Sequence, residues 1–80
     1  MKSTKERREY GVILFHTNSA ALRAEKTLLK HGLAIKMIPT PREFSSDCGV
    51  SLRFEWGEEA RVRRLLESAR VEIGSLHRML

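Results

Sequence analysis

The chain has a single cysteine, Cys48, among 80 residues. It can form no internal disulfide, which suits a reducing cytoplasm and leaves the thiol free or open to an intermolecular partner. No apolar run reaches the about 18 residues that a membrane-spanning helix needs, so no membrane contact is expected. The N-terminus carries charges without an apolar segment, which argues against a secretory signal. Internal repeats and low-complexity tracts are absent. The histidines His16, His31 and His77 are dispersed relative to Cys48, without the paired spacing of zinc sites, and no metal or other cofactor is expected. Charge is only moderately one-sided. The net +5 favours solubility and anionic partners, but falls short of the basic bias of a dedicated nucleic-acid binder. A chain this short makes one domain with a small core.

Only two prolines occur, and both fall in one stretch: Pro39-Thr40-Pro41-Arg42-Glu43-Phe44-Ser45-Ser46-Asp47-Cys48-Gly49. Two prolines two apart fix φ, forbid a central strand and bias Thr40 toward an extended backbone. Ser45, Ser46 and Asp47 supply acceptors that can cap exposed N–H groups. Gly49 permits backbone angles that other residues resist. A thiol in such a stiff, polar loop points to chemistry, whereas a thiol within an apolar strand points to packing.

The flanking segments read as alternating strands and helices. Met1 to Glu9 is polar, with mixed charges, and is expected to be a disordered tail before a single domain over 10–80. Tyr10 to Phe15 is an apolar, β-branched and aromatic run of strand length. Thr17, Asn18 and Ser19 are good N-cap residues for a helix expected over 19–31, with Gly32 fitting the C′ position. On a helical wheel Ala21, Leu22, Leu28 and Leu29 share a face with Glu25 at its centre. That predicts a structural carboxylate, held by Arg42 or by backbone N–H groups of Ser45 to Gly49, because a desolvated carboxylate is costly unless paired. Residues 34–38 form a second strand, in which outward-facing Lys36 suits an edge. Val50, Leu52, Phe54 and Trp56 alternate with polar residues as a third. Gly57-Glu58-Glu59 opens a second helix over 58–69, with Val62, Leu65, Leu66 and Ala69 on one face. A last strand is expected over 71–76.

The order β-α-β-β-α-β predicts an α+β, ferredoxin-like sandwich: a four-stranded antiparallel sheet, order 4-1-3-2, with both helices on one face. Strand 1 would then end beside the start of strand 3. His16, Asn18 at the first helix's N-terminus, and Cys48 would share one edge, together with the start of strand 4 near Val71. A helix N-terminus and nearby cations favour thiolate, and thiolate is the nucleophile toward persulfide or disulfide sulfur. Cys48 is the expected reactive residue, with Arg42, His16, Asn18, Ser45, Ser46 and Gly49 holding the anion. Strand 1 is apolar on both sides, so a homodimer covering its helix-free side is expected.

The segments Leu14-Phe15-His16, Ala24-Glu25-Lys26, Ile38-Pro39-Thr40-Pro41-Arg42-Glu43 and Ser45-Ser46-Asp47-Cys48-Gly49 resemble the selenium/sulfur carrier-like family of small prokaryotic proteins. The resemblance covers nearly all of Tyr10 to Ile73. It implies a short α/β domain whose cysteine carries sulfur or selenium between donor and acceptor proteins. Carriers for tRNA thiolation use a Cys-Pro-x-Pro motif at a helix start, and this chain has none. The reading is a thiol-based sulfur or selenium carrier or redox adaptor in the cytoplasm. The alternative is a non-enzymatic ligand- or partner-binding regulatory module, in which Cys48 is incidental. RNA binding is disfavoured, because the third strand lacks the RNP1 pattern and the arginines and lysines of the two helices read as a solvated face.

Overall fold

A computed structural model describes residues 9–44 and 49–79. β1 (Tyr10–Leu14) leads into α1 (Asn18–Lys30), then β2 (Ile35–Pro39) and β3 (Val50–Glu55). A 3-10 turn (Trp56–Glu58), α2 (Glu59–Ser68) and β4 (Ser75–Met79) follow. The sheet order is β2-β3-β1-β4, and every pairing is antiparallel. Read from its other edge this is 4-1-3-2, so the chain has the expected α+β, ferredoxin-like architecture.

Strand alternation divides the residues between the two faces of the sheet. Ile13 and Phe15 of the β1 segment, with Leu52 and Phe54 of β3, face the helices. They form one core with Ala21, Ala24 and Leu28 of α1 and Val62 and Leu66 of α2. Gly11 pairs with Phe54, and a methyl group at Gly11 would lie 2.4 Å from the Phe54 ring and 2.7 Å from the Trp56 ring. The absence of a side chain there lets both aromatics cross the central strand.

Both helices are closed by local sequence. Thr17 is extended and accepts the Ala20 N–H on its hydroxyl at 3.1 Å, so α1 begins at Asn18. At the other end Gly32 takes φ 79°, the Gly32 N–H bonds to Leu29 O, and the Leu33 N–H bonds to Leu28 O. This is a Schellman motif, and it buries Leu33. Arg61 of α2 donates to His31 O at 3.1 Å, joining the two helix ends. α2 ends in the same motif with Arg70 in the left-handed position, φ 57°. There the Arg70 N–H bonds to Glu67 O and the Val71 N–H to Leu66 O.

That motif corrects the expected last strand. Val71 and Ile73 alternate like strand residues, but Val71 is buried as the apolar residue following the helix cap, and Ile73 packs on the core from the connection. β4 runs over 75–79 rather than 71–76. The expected tail falls mostly on residues 1–8, outside the described residues. Glu9, assigned to it, accepts the Trp56 N–H on its carbonyl at 2.9 Å and pairs with Arg78 through its carboxylate.

α1 is rotated from the expected wheel. Its buried residues are Ala21, Ala24 and Leu28, while Leu22 and Leu29 are 52% and 53% exposed. Small alanines let the helix approach the sheet closely, and this displaces the larger leucines to one flank. Glu25 moves with them to the margin of the buried face and is partly exposed.

The outer face of β1 is not bare. Val12 and Leu14 point away from the helices, yet they are 0% and 5% exposed. Phe44, from the connection after β2, stacks on His77 of β4 with ring centroids 4.6 Å apart and planes at 23°. His77 is the cross-strand partner of Val12. Phe44 is thus carried from the β2 edge of the sheet to β4 at its other edge, on the same outer face as Val12. The outer side of β1 is therefore buried within a single chain, unlike the bare face on which the expectation of a sheet-to-sheet dimer rests.

Candidate functional site

The cover is pinned at its base and at its far reach. At the base the Thr40 N–H bonds to Gly49 O at 3.1 Å, closing the stretch between the two strands. The Thr40 and Ser51 hydroxyls lie 2.9 Å apart, and Ser51 is fully buried on the outer face. A buried hydroxyl must find a partner, and this pair satisfies both groups. Beyond Pro41 a tight turn forms, in which the Phe44 N–H bonds to Pro41 O at 3.0 Å. Pro41 favours such a turn through its fixed φ. Phe44 then meets His77, whose Nε2 lies 2.9 Å from the Ser75 hydroxyl. Ser75 orients the imidazole and Phe44 covers it.

The edge next to this cover is built from the ends of β1 and β4. Leu14 pairs with Ser51 on one side and Ser75 on the other. The Gly74 N–H bonds to Leu14 O at 2.7 Å. His16 is exposed, and its Nε2 would stand 3.5 Å from a methyl group added at Gly74. The small Gly74 thus leaves space into which the His16 ring fits. Gly74 and Ser75 occupy the edge position that sequence reasoning gave to Val71. Asn18 opens α1 directly after the Thr17 cap. Continuing the β1–β3 register two positions past Leu14 and Ser51 would set His16 against Gly49.

Of the residues singled out from sequence, His16, Asn18 and Gly49 therefore belong to this end of the molecule. Arg42 is exposed in the turn before Phe44. Ser45, Ser46 and Cys48 lie outside the described residues. Glu25 is not brought to the loop by any described contact. It sits on the helix side of the sheet while Phe44 lies on the other, and it has no ion pair among the described residues. The wheel overstated its burial, because the helix turns its alanine stripe rather than its leucine stripe to the sheet.

Sequence reasoning missed Phe44, His77, Ser75 and the Thr40–Ser51 pair as parts of one arrangement. One signal was available. Phe44 is an apolar aromatic in an otherwise polar loop, and such a side chain needs a surface to cover.

Fold and loop together define a small ferredoxin-like domain whose β2–β3 connection brings Phe44 onto the helix-free face. The chain belongs to the family described as "Putative Se/S carrier protein-like", whose model matches residues 10–78. It is similar to the uncharacterized protein MJ0011 of Methanocaldococcus jannaschii, with 33% identity over 67 residues. That match takes in 84% of this chain and 34% of MJ0011, so the chain spans about a third of its relative's length. No solved structure matches the chain. Among the described residues, no helix is long and apolar enough to cross a membrane, and no group of three or more His, Cys, Asp or Glu is arranged to hold a metal.

Proposed function

We propose that the chain is a thiol-based carrier that accepts sulfur or selenium on Cys48 and passes it on between donor and acceptor proteins in a reducing cytoplasm. The observation that carries this reading is the anchored connection. A chain of the Se/S carrier-like family closes its β2–β3 stretch through Thr40 and Gly49 and ties the arm before Cys48 to the sheet through Phe44. Cys48 directly precedes Gly49 in the chain, so it belongs to a stretch whose two ends are fixed. In this reading His16, the start of α1 and Arg42 stabilise the anion on Cys48.

The step is a displacement at sulfur. The Cys48 thiolate attacks the terminal sulfur of a donor persulfide, R–S–SH. A bond forms between Cys48 Sγ and that sulfur, the donor's S–S bond breaks, and the donor leaves as thiolate. One persulfide is consumed and one is made, with no external oxidant. Selenium transfer follows the same balance. A redox-adaptor role would use the same thiolate against a disulfide.

Intact mass spectrometry of protein isolated without reductant, then incubated with a low-molecular-weight persulfide, tests the reading. The expected result is an adduct of one or more sulfur atoms that Cys48→Ser abolishes and dithiothreitol removes. Absence of an adduct on the unmodified chain, or an adduct of equal size on Cys48→Ser, would refute it. A Cys48→Ser protein that keeps its biological activity would support the regulatory-module alternative.

A further inference from the structure

The rotation of α1 leaves a stripe with no partner inside the domain. Leu22 and Leu29 are the large hydrophobic residues left exposed among those described. They lie seven residues apart, hence two turns along one line of the helix. Glu25 and Lys26 fall between them, each roughly 50° to opposite sides of that line at about 100° per residue. Neither has an ion pair within the described chain. A stripe with an anion on one flank and a cation on the other is its own complement under one operation, a twofold axis running parallel to the helix. That operation sets Leu22 on its copy and Leu29 on its copy. It also sets Glu25 beside the copy's Lys26, and Lys26 beside the copy's Glu25. A twofold perpendicular to the helix would instead face Glu25 with Glu25 and Lys26 with Lys26, which is repulsive.

We propose that α1 is a homodimer interface, in which two copies pair their first helices in parallel through Leu22 and Leu29 with Glu25–Lys26 bridges on both sides. The occupant is a second copy because the charge pattern fits itself, and an isologous contact requires such self-complementarity. The outer side of β1, buried within the single chain, does not compete for this role. The apolar contact is only two leucines per copy, so the interface is at the small end of specific association and the affinity is in the micromolar range.

Analytical ultracentrifugation of the full chain across roughly 5–500 µM tests this, a range that brackets micromolar association. A monomer–dimer equilibrium is expected. Leu22→Glu should abolish it while leaving the circular dichroism melt in place, since the side chain is half exposed. Glu25→Lys and Lys26→Glu should each weaken dimerisation about tenfold, through two lost and two repulsive contacts. The double variant Glu25→Lys/Lys26→Glu should restore it, because reversing both charges recreates both bridges. A monomer at every concentration would overturn the proposal. So would a dimer indifferent to Leu22→Glu or to the single reversals, or a double variant that stays weak.

Discussion

Removing the Phe44 ring tests whether the β2–β3 connection is held by the sheet or merely lies near it. Truncating a fully buried Phe to Ala costs about 3–5 kcal/mol. Phe44 is half-buried, so Phe44→Ala should cost about 2 kcal/mol, with the His77 stack contributing about 1 of these. For a domain of this size a urea m-value near 1 kcal/mol/M converts that loss to a fall in midpoint of about 2 M. Trp56, the one tryptophan, is a clean probe for the experiment. It packs against the core beside Phe54 and Gly11, on the helix-facing side of the sheet and so on the face opposite Phe44. Native Trp56 fluorescence should therefore be unchanged in Phe44→Ala while the transition shifts. Val12 and Leu14 lose their cover, so binding of a hydrophobic dye to the native state should rise. A double-mutant cycle with His77→Ala isolates the stack, with Ser75→Ala as control for the lost hydroxyl contact, and a coupling of about 1 kcal/mol is expected. A loss below about 0.5 kcal/mol, within the range of surface substitutions, with unchanged dye binding, would show that the loop does not cover the sheet.

Three further outcomes follow from other parts of the fold. Gly11→Ala should destabilise by about 1–3 kcal/mol, because the new methyl meets the buried Phe54 ring at 2.4 Å; chemical denaturation checks this, and Phe54→Leu should soften the penalty. Arg70→Gly should raise stability by about 0.5–1 kcal/mol, since glycine takes the φ of 57° without strain, whereas Arg70→Ala should leave the melting temperature nearly unchanged. Ser51→Ala and Thr40→Val should each cost about 1 kcal/mol by breaking one hydroxyl pair, and the double variant, measured by urea denaturation, should cost little more than either alone.

Local chemistry alone determined most of the architecture. The β-branched run after Tyr10, the alternation from Val50 to Trp56, the cap residues at Thr17 and Gly32, and the order of the segments were sufficient for a four-stranded antiparallel sheet with two helices. Those signals are strong because they act over three or four residues and need no partner. The loop was marked by its prolines and polar residues for the same reason. Tertiary packing decided the rest. Val71 and Ile73 alternate like a strand, but the residue after a helix cap is buried too, and periodicity does not separate the two cases. Ala21, Ala24 and Leu28 prevailed over the leucine stripe because close approach to the sheet favours small side chains, and that choice moved Glu25, Leu22 and Leu29 outward. Phe44 and His77 are 33 residues apart in the chain. Only the strand order, which sets β4 beside β1, gives the loop an imidazole to land on.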